Sequence, residues 1–93
     1  MNLKISYSKE ADRFLSKHSD RITGSETDEL IIMAVKKILK IEDAAIDIKA
    51  LKGEYRGYFR IRKEKIRIVF NLKRNEVVVA FINAISFRKD IYR

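Results

Sequence analysis

Apolar and polar residues alternate at the start of the chain: Leu3, Ile5 and Tyr7 against Asn2, Lys4 and Ser6. A period of two is the mark of a strand with one buried face. Ser8 then offers an N-cap, Lys9-Glu10-Ala11-Asp12 puts acids in a first helical turn, and Ala11, Phe14, Leu15 and His18 mark one helical face. The stretch Asp20–Gly24 breaks the pattern. Ser25 or Thr27 is the expected cap of a second helix, whose stripe of Leu30, Ile31, Ala34, Val35, Ile38 and Leu39 ends near Ile41–Asp43. Residues 44–53 give no clear period, and Leu51 and Gly53 read as the lead-in to a turn. Three strand signals follow at about 55–63, 65–72 and 76–83, with turns expected at Lys63-Glu64 and Lys73-Arg74-Asn75. Phe87–Arg93 is expected as a short helix or an extended tail.

The order β-α-α-β-β-β implies an α+β fold, with two amphipathic N-terminal helices packed on one face of a small, mainly antiparallel sheet. Ninety-three residues suffice for one such domain, spanning 1–93. In that sheet Phe59, Ile61, Ile66, Ile68 and Phe70 form the face under the helices. Tyr58, Arg60, Arg62, Lys65, Arg67, Val69 and Asn71 take the other. The strand at 76–83 is apolar on both sides, which places it inside the sheet.

Charge changes this picture. Residues 1–49 carry nine Lys/Arg against nine Asp/Glu, whereas residues 50–93 carry twelve against four, which accounts for the net charge of +8. Arg60, Arg62, Lys65 and Arg67 thus share one face with no interleaved acid, since Glu64 and Glu76 fall in or near turns. Ordinary solvated faces mix signs because like charges on neighbouring strands repel. A one-sided basic face points to a polyanionic partner, with phosphate-rich nucleic acid first. No cysteine is present, so disulfide and thiolate chemistry are excluded, and one histidine, His18, gives no basis for a His-rich metal site. No metal or other cofactor is expected. No apolar run approaches the ~20 residues of a membrane span, and the N-terminus lacks a signal-peptide pattern, so a cytoplasmic location is expected.

The same residues resemble a family. Tyr7-Ser8-Lys9-Glu10-Ala11 through Leu15, Leu51-Lys52-Gly53, Tyr58-Phe59-Arg60-Ile61-Arg62, Ile66-Arg67-Ile68-Val69-Phe70 and Arg88-Lys89-Asp90-Ile91-Tyr92-Arg93 follow one another. Their order and spacing are similar to those of the RelE/ParE superfamily of bacterial toxins. The resemblance implies a type II toxin neutralised by a cognate acidic antitoxin. It also implies a ribosome-dependent endoribonuclease that cuts mRNA by metal-independent attack of the ribose 2′-OH on the scissile phosphate. The alternatives are a ParE-like inhibitor of DNA gyrase, or a non-catalytic member that only binds its antitoxin. By motif, Arg60, Arg62, Arg67 and Tyr92 fall on catalytic positions. Lys52, Arg56, Tyr58, Lys63, Lys65, Arg88 and Lys89 are the expected nucleic-acid contacts.

Two departures bear on the chemistry. Arginine stands at positions 60 and 62 where the ribonuclease branch carries lysines, and Ser86-Phe87 precedes Arg88 where that branch often has a further arginine or histidine. A guanidinium is an excellent phosphate clamp but cannot act as a base. The base is then left among Lys63, Lys65 and Tyr92, while His18, at the end of a helical apolar stripe, reads as structural. Tyr92 would serve either as a proton donor or as a ring that stacks on a base, and Tyr55 and Tyr58 offer further stacking surfaces.

Overall fold

A computed structural model describes residues 2–88. Its elements are β1 (Leu3–Tyr7), α1 (Lys9–Lys17), α2 (Gly24–Ile38), β2 (Asp47–Ala50), a single 3-10 turn (Gly53–Tyr55), β3 (Tyr58–Lys63), β4 (Ile66–Arg74) and β5 (Val78–Phe87). The five strands form one sheet in the order β1-β5-β4-β3-β2. Only the β1–β5 pair is parallel; the remaining pairs are antiparallel. The fold is therefore the expected α+β arrangement with one strand added at an edge.

That strand, β2, lies where the sequence gives no period. It has four residues, pairs only with β3, and keeps Ile48 half-buried between exposed neighbours. Two further boundaries shift. The cap of α2 is Thr23, not Ser25 or Thr27: its hydroxyl accepts from the Glu26 N–H at 3.1 Å, and Glu26 Oε1 accepts from the Thr23 N–H at 3.1 Å. This reciprocal pair satisfies two backbone donors at the helix start, which outcompetes the caps further on. Thr27 is instead buried, donating its hydroxyl to the Thr23 carbonyl at 2.8 Å. The β3–β4 turn is Glu64-Lys65, with Glu64 at φ +55°, and the β4–β5 turn comprises residues 75–77.

The core lies under the helices. Ile31, Ala34 and Val35 of α2 and Ala11 of α1 are buried with Ile61, Ile68, Phe70, Ala80, Ile82 and Ile85. Each fully buried aliphatic or phenyl side chain stabilises by roughly 1.5–3 kcal/mol relative to exposure. On β5 the core-facing set runs Val78, Ala80, Ile82, then Ile85 and Phe87, because a bulge opposite Val69/Phe70 inserts a residue. The inserted residue is held from the junction between β1 and α1: Ser8 donates its N–H to the Ile82 carbonyl at 2.9 Å and its hydroxyl to the Asn83 carbonyl at 2.7 Å. The same hydroxyl oxygen accepts from the Ala11 N–H at 3.0 Å and so caps α1. One serine thus ties the helix start to the bulge that lets β5 continue to Phe87. The expectation that 76–83 is an interior strand holds, with β1 on one side and β4 on the other.

The β1–α2 contact is closed by Tyr7, whose hydroxyl donates to Asp28. Partial burial, and then the Asp28 carboxylate, raise the Tyr7 phenol above its ordinary range. His18, Phe14 and Phe87 form an aromatic cluster with centroids 4.5–5.1 Å apart, and the Arg21 guanidinium stands over Phe87 at 5.2 Å. His18 therefore has the structural place expected of it.

Candidate nucleic-acid interface

The pleat puts Tyr58, Arg60 and Arg62 of β3 on the sheet face away from the core, opposite Asn71, Val69 and Arg67 of β4. Arg62 and Arg67 are direct cross-strand partners, and so are Lys49 of β2 and Arg60. Like charges in directly opposed positions are destabilising. Two such pairs side by side are not what fold stability alone would select.

Asp47 of β2, directly opposite Arg62, moderates this repulsion. Its Oδ1 accepts from Arg60 Nη2 at 3.3 Å and its Oδ2 from Arg62 Nε at 3.2 Å. The expected face without an interleaved acid is therefore corrected: Asp47 interleaves there, hidden from sequence reading because β2 was. Arg60 is also more enclosed than an arginine on an open face would be, at 6% exposure. Burial of a guanidinium requires polar contacts, and the Asp47 carboxylate supplies one.

Two clefts open on this face. The smaller, about 370 Å³, is lined by Lys49, Ala50, Leu51, Lys52, Arg60, Arg62 and Arg67, so five cations converge on it. The larger, about 720 Å³, is lined by Leu51, Glu54, Tyr55 and Tyr58 from the β2–β3 connection and the start of β3. The sheet contributes Arg60, Arg67, Val69, Asn83, Ala84 and Ser86, and α1 contributes Glu10. Leu51, Arg60 and Arg67 belong to both, so the clefts adjoin. The β2–β3 connection bends through two glycines at positive φ, Gly53 at +67° and Gly57 at +97°. Glycine adopts such angles more readily than any residue with a side chain, and the bends present Tyr55 beside Tyr58 in an edge-to-face contact at 6.4 Å. Asn83, the bulge residue, donates to Asn71 Oδ1 at 2.8 Å.

Of the residues singled out from sequence, Lys52, Arg60, Arg62, Arg67 and Tyr58 come together here. Arg56 is exposed in the turn before β3 and lines neither cleft. Lys65, expected on the basic face, is in the β3–β4 turn because the hairpin closes one residue later than expected. Lys63 falls on the other face, in a groove with Arg21, Glu26, Met33 and Glu64. Neither lysine reaches the clefts as a base. Arg88 follows β5 and donates its N–H to the Lys65 carbonyl at 2.8 Å. Lys89 and Tyr92 lie outside the described residues. Lys49, Asp47, Glu10, Glu54 and Asn83 were not found by sequence reasoning. Lys49 and Asp47 needed β2, and the two glutamates needed the tertiary packing of α1 and of the connection.

No family model matches the chain, and no curated protein matches it. Solved structures do. The toxin–antitoxin complex DinJ–YafQ of E. coli aligns at TM-score 0.67 and 12% identity over 100% of both chains. The chain carries the RelE-like toxin fold. The YoeB/ParE toxin of Agrobacterium tumefaciens shares it at TM-score 0.63 and 15% identity, over 90% of this chain and 96% of that one. The RelB–RelE antitoxin–toxin complex of Methanococcus jannaschii shares it at 0.53 and 20%, over 94% of each. Among the described residues no three His, Cys, Asp or Glu side chains group as metal ligands, and no helix is long and apolar enough to cross a membrane.

Proposed function

We propose that residues 1–93 form the toxin of a type II toxin–antitoxin pair and that it cuts mRNA on the ribosome. The observation that carries this reading is the convergence of Lys49, Lys52, Arg60, Arg62 and Arg67 on one cleft of the open sheet face. Such a cluster, moderated by Asp47, is suited to the phosphate backbone of RNA. The RelE-like fold and the antitoxin–toxin complexes among its structural neighbours support the same assignment.

In this reading the scissile phosphate lies against Arg60, Arg62 and Arg67. The neighbouring 2′-oxygen attacks phosphorus and the P–O5′ bond breaks. The products are a 2′,3′-cyclic phosphate and a 5′-hydroxyl end. Guanidinium groups neutralise the charge that grows on the phosphorane, the largest single contribution available to such a site. They do not remove the 2′-OH proton. Glu10 and Glu54, which line the adjoining cleft, are carboxylates suited to accept it, and the Tyr92 hydroxyl is the donor for the leaving oxygen. An acidic antitoxin segment covering the basic face would exclude RNA and so hold the toxin inactive.

A specific feature favours a second reading. Among the described residues the five-cation cleft is lined by no carboxylate and no imidazole, which suits a binding poison of DNA gyrase. Induction of the gene separates the two. Prompt arrest of pulse-labelled protein synthesis, with new mRNA ends placed in register with codons, is expected. Continued translation with DNA damage and stalled replication selects the gyrase reading, and no growth effect selects a member that only binds its antitoxin.

A further inference from the structure

The larger cleft differs in kind from its neighbour. Beyond the shared Leu51, Arg60 and Arg67 it adds Tyr55, Tyr58, Val69 and Ala84 with Glu10, Glu54, Asn83 and Ser86, and apolar and aromatic groups make up most of the exposed lining. Tyr55 is 59% exposed, yet its ring is set edge-on against Tyr58 at 88° between two glycine bends. An exposed aromatic held in a fixed orientation beside a guanidinium cleft has the make-up of a stacking platform for single-stranded nucleic acid. A phosphodiester held by Arg60 and Arg67 brings its own nucleosides to either side, so an apolar cleft sharing those two arginines is where an attached base falls.

On the reading of the open face as an RNA surface, we propose that this cleft is a nucleobase subsite. A base flanking the bound phosphate stacks on the exposed ring of Tyr55, and Tyr58, nearly perpendicular to that ring, meets the edge of the base over the floor formed by Val69 and Ala84. Arg60 and Arg67 hold the phosphate at the subsite's mouth. Stacking area favours purines over pyrimidines there. The subsite thus contributes affinity that the phosphate cleft alone does not, and places the sugar that bears the attacking hydroxyl.

Two trinucleotides with 2′-O-methyl riboses, which cannot be cut by their own 2′-oxygen, test this. One carries the fluorescent base 2-aminopurine at its centre; the other is abasic there and carries a 5′ dye. The wild-type protein is expected to quench the 2-aminopurine and to bind that probe about five- to hundredfold more tightly than the abasic one. The Tyr55→Ala/Tyr58→Ala variant removes the quenching and brings both probes to the abasic affinity, whereas Arg67→Ala weakens both by the same factor. Tyr55→Ala alone, at an exposed position, gives a partial loss of the same preference without risk to the core. Equal affinity for both probes without quenching, or a preference that survives in the folded double variant, overturns the subsite and leaves the phosphate cleft standing. Failure of both probes to bind wild-type protein at low salt overturns the RNA reading itself and leaves the face to a protein partner.

Discussion

Replacing Asp47 with alanine should move stability and RNA affinity in opposite directions. The carboxylate holds Arg60 at 3.3 Å and Arg62 at 3.2 Å, and it is itself half exposed. The Arg62 pair, open to solvent on both sides, is worth about 0.2–1 kcal/mol. The Arg60 pair is more enclosed, and a hydrogen bond to a charged partner contributes about 1.5–3 kcal/mol where burial is complete. With half of Asp47 in water, a total loss of roughly 1–2 kcal/mol is expected, which lowers Tm by about 4–16 °C for a domain of this size. The same carboxylate repels a phosphate placed between the two arginines. At roughly 6 Å the repulsion is about 0.7–3 kcal/mol across the plausible range of effective dielectric constant, before salt screening. Removing it should raise affinity for a short single-stranded RNA by about three- to tenfold. Thermal denaturation followed by circular dichroism reads the first effect. Fluorescence anisotropy with a labelled, cleavage-resistant RNA reads the second, between about 50 and 200 mM salt. A tenfold fall in affinity, with the fold retained, would refute the reasoning, since Asp47 would then matter for aiming the arginines and not for its charge.

Other substitutions separate structure from site. Arg67→Ala is expected to leave the circular dichroism spectrum unchanged and the unfolding free energy within about 1 kcal/mol of wild type while abolishing toxicity on induction, because Arg67 lines both clefts and its side chain is on the face away from the core. Thr23→Ala removes one half of the reciprocal cap of α2 and should cost about 1 kcal/mol by chemical denaturation. Tyr7→Phe should change the alkaline limb of the stability curve. The raised Tyr7 phenol means that its contribution is fully present below the unfolded value of about 10 and declines as pH rises above it, so the variant's stability should fall less steeply there than the wild type's. Glu10→Gln and Glu54→Gln, assayed for cleavage and for RNA binding, should identify which carboxylate accepts the 2′-OH proton: that variant loses cleavage by about 100-fold or more and keeps its affinity for RNA.

The sequence carried most of the fold because β1, α1, α2 and the β3–β5 meander each repeat apolar residues at their own period. The basic set at 60, 62 and 67 was legible for the same reason, since alternation alone puts those positions on one face. What escaped were contacts between elements with no period of their own. β2 has four residues and one half-buried side chain, so neither it nor the Asp47 it carries announces itself. The expected turn at Lys63-Glu64 lies one position too early: Glu64-Lys65 is the turn, so Lys65 leaves the strand and the basic face while Arg67 keeps its place there. Glu10 was read as an acid in a first helical turn, and its place beside the cleft follows from the packing of α1 along the far half of β5, which the Asn83 bulge permits.

The central claim is that the arginine cleft acts on ribosome-bound mRNA. Its most direct test maps the 5′ ends of a defined message in a reconstituted translation reaction to which purified wild-type protein or Arg67→Ala has been added. New 5′-hydroxyl ends within the codon at the ribosomal A site, present only with ribosomes and wild-type protein, are the predicted result. An uncut message alongside wild-type protein that still arrests growth, or identical cuts by the folded Arg67→Ala variant, would contradict it.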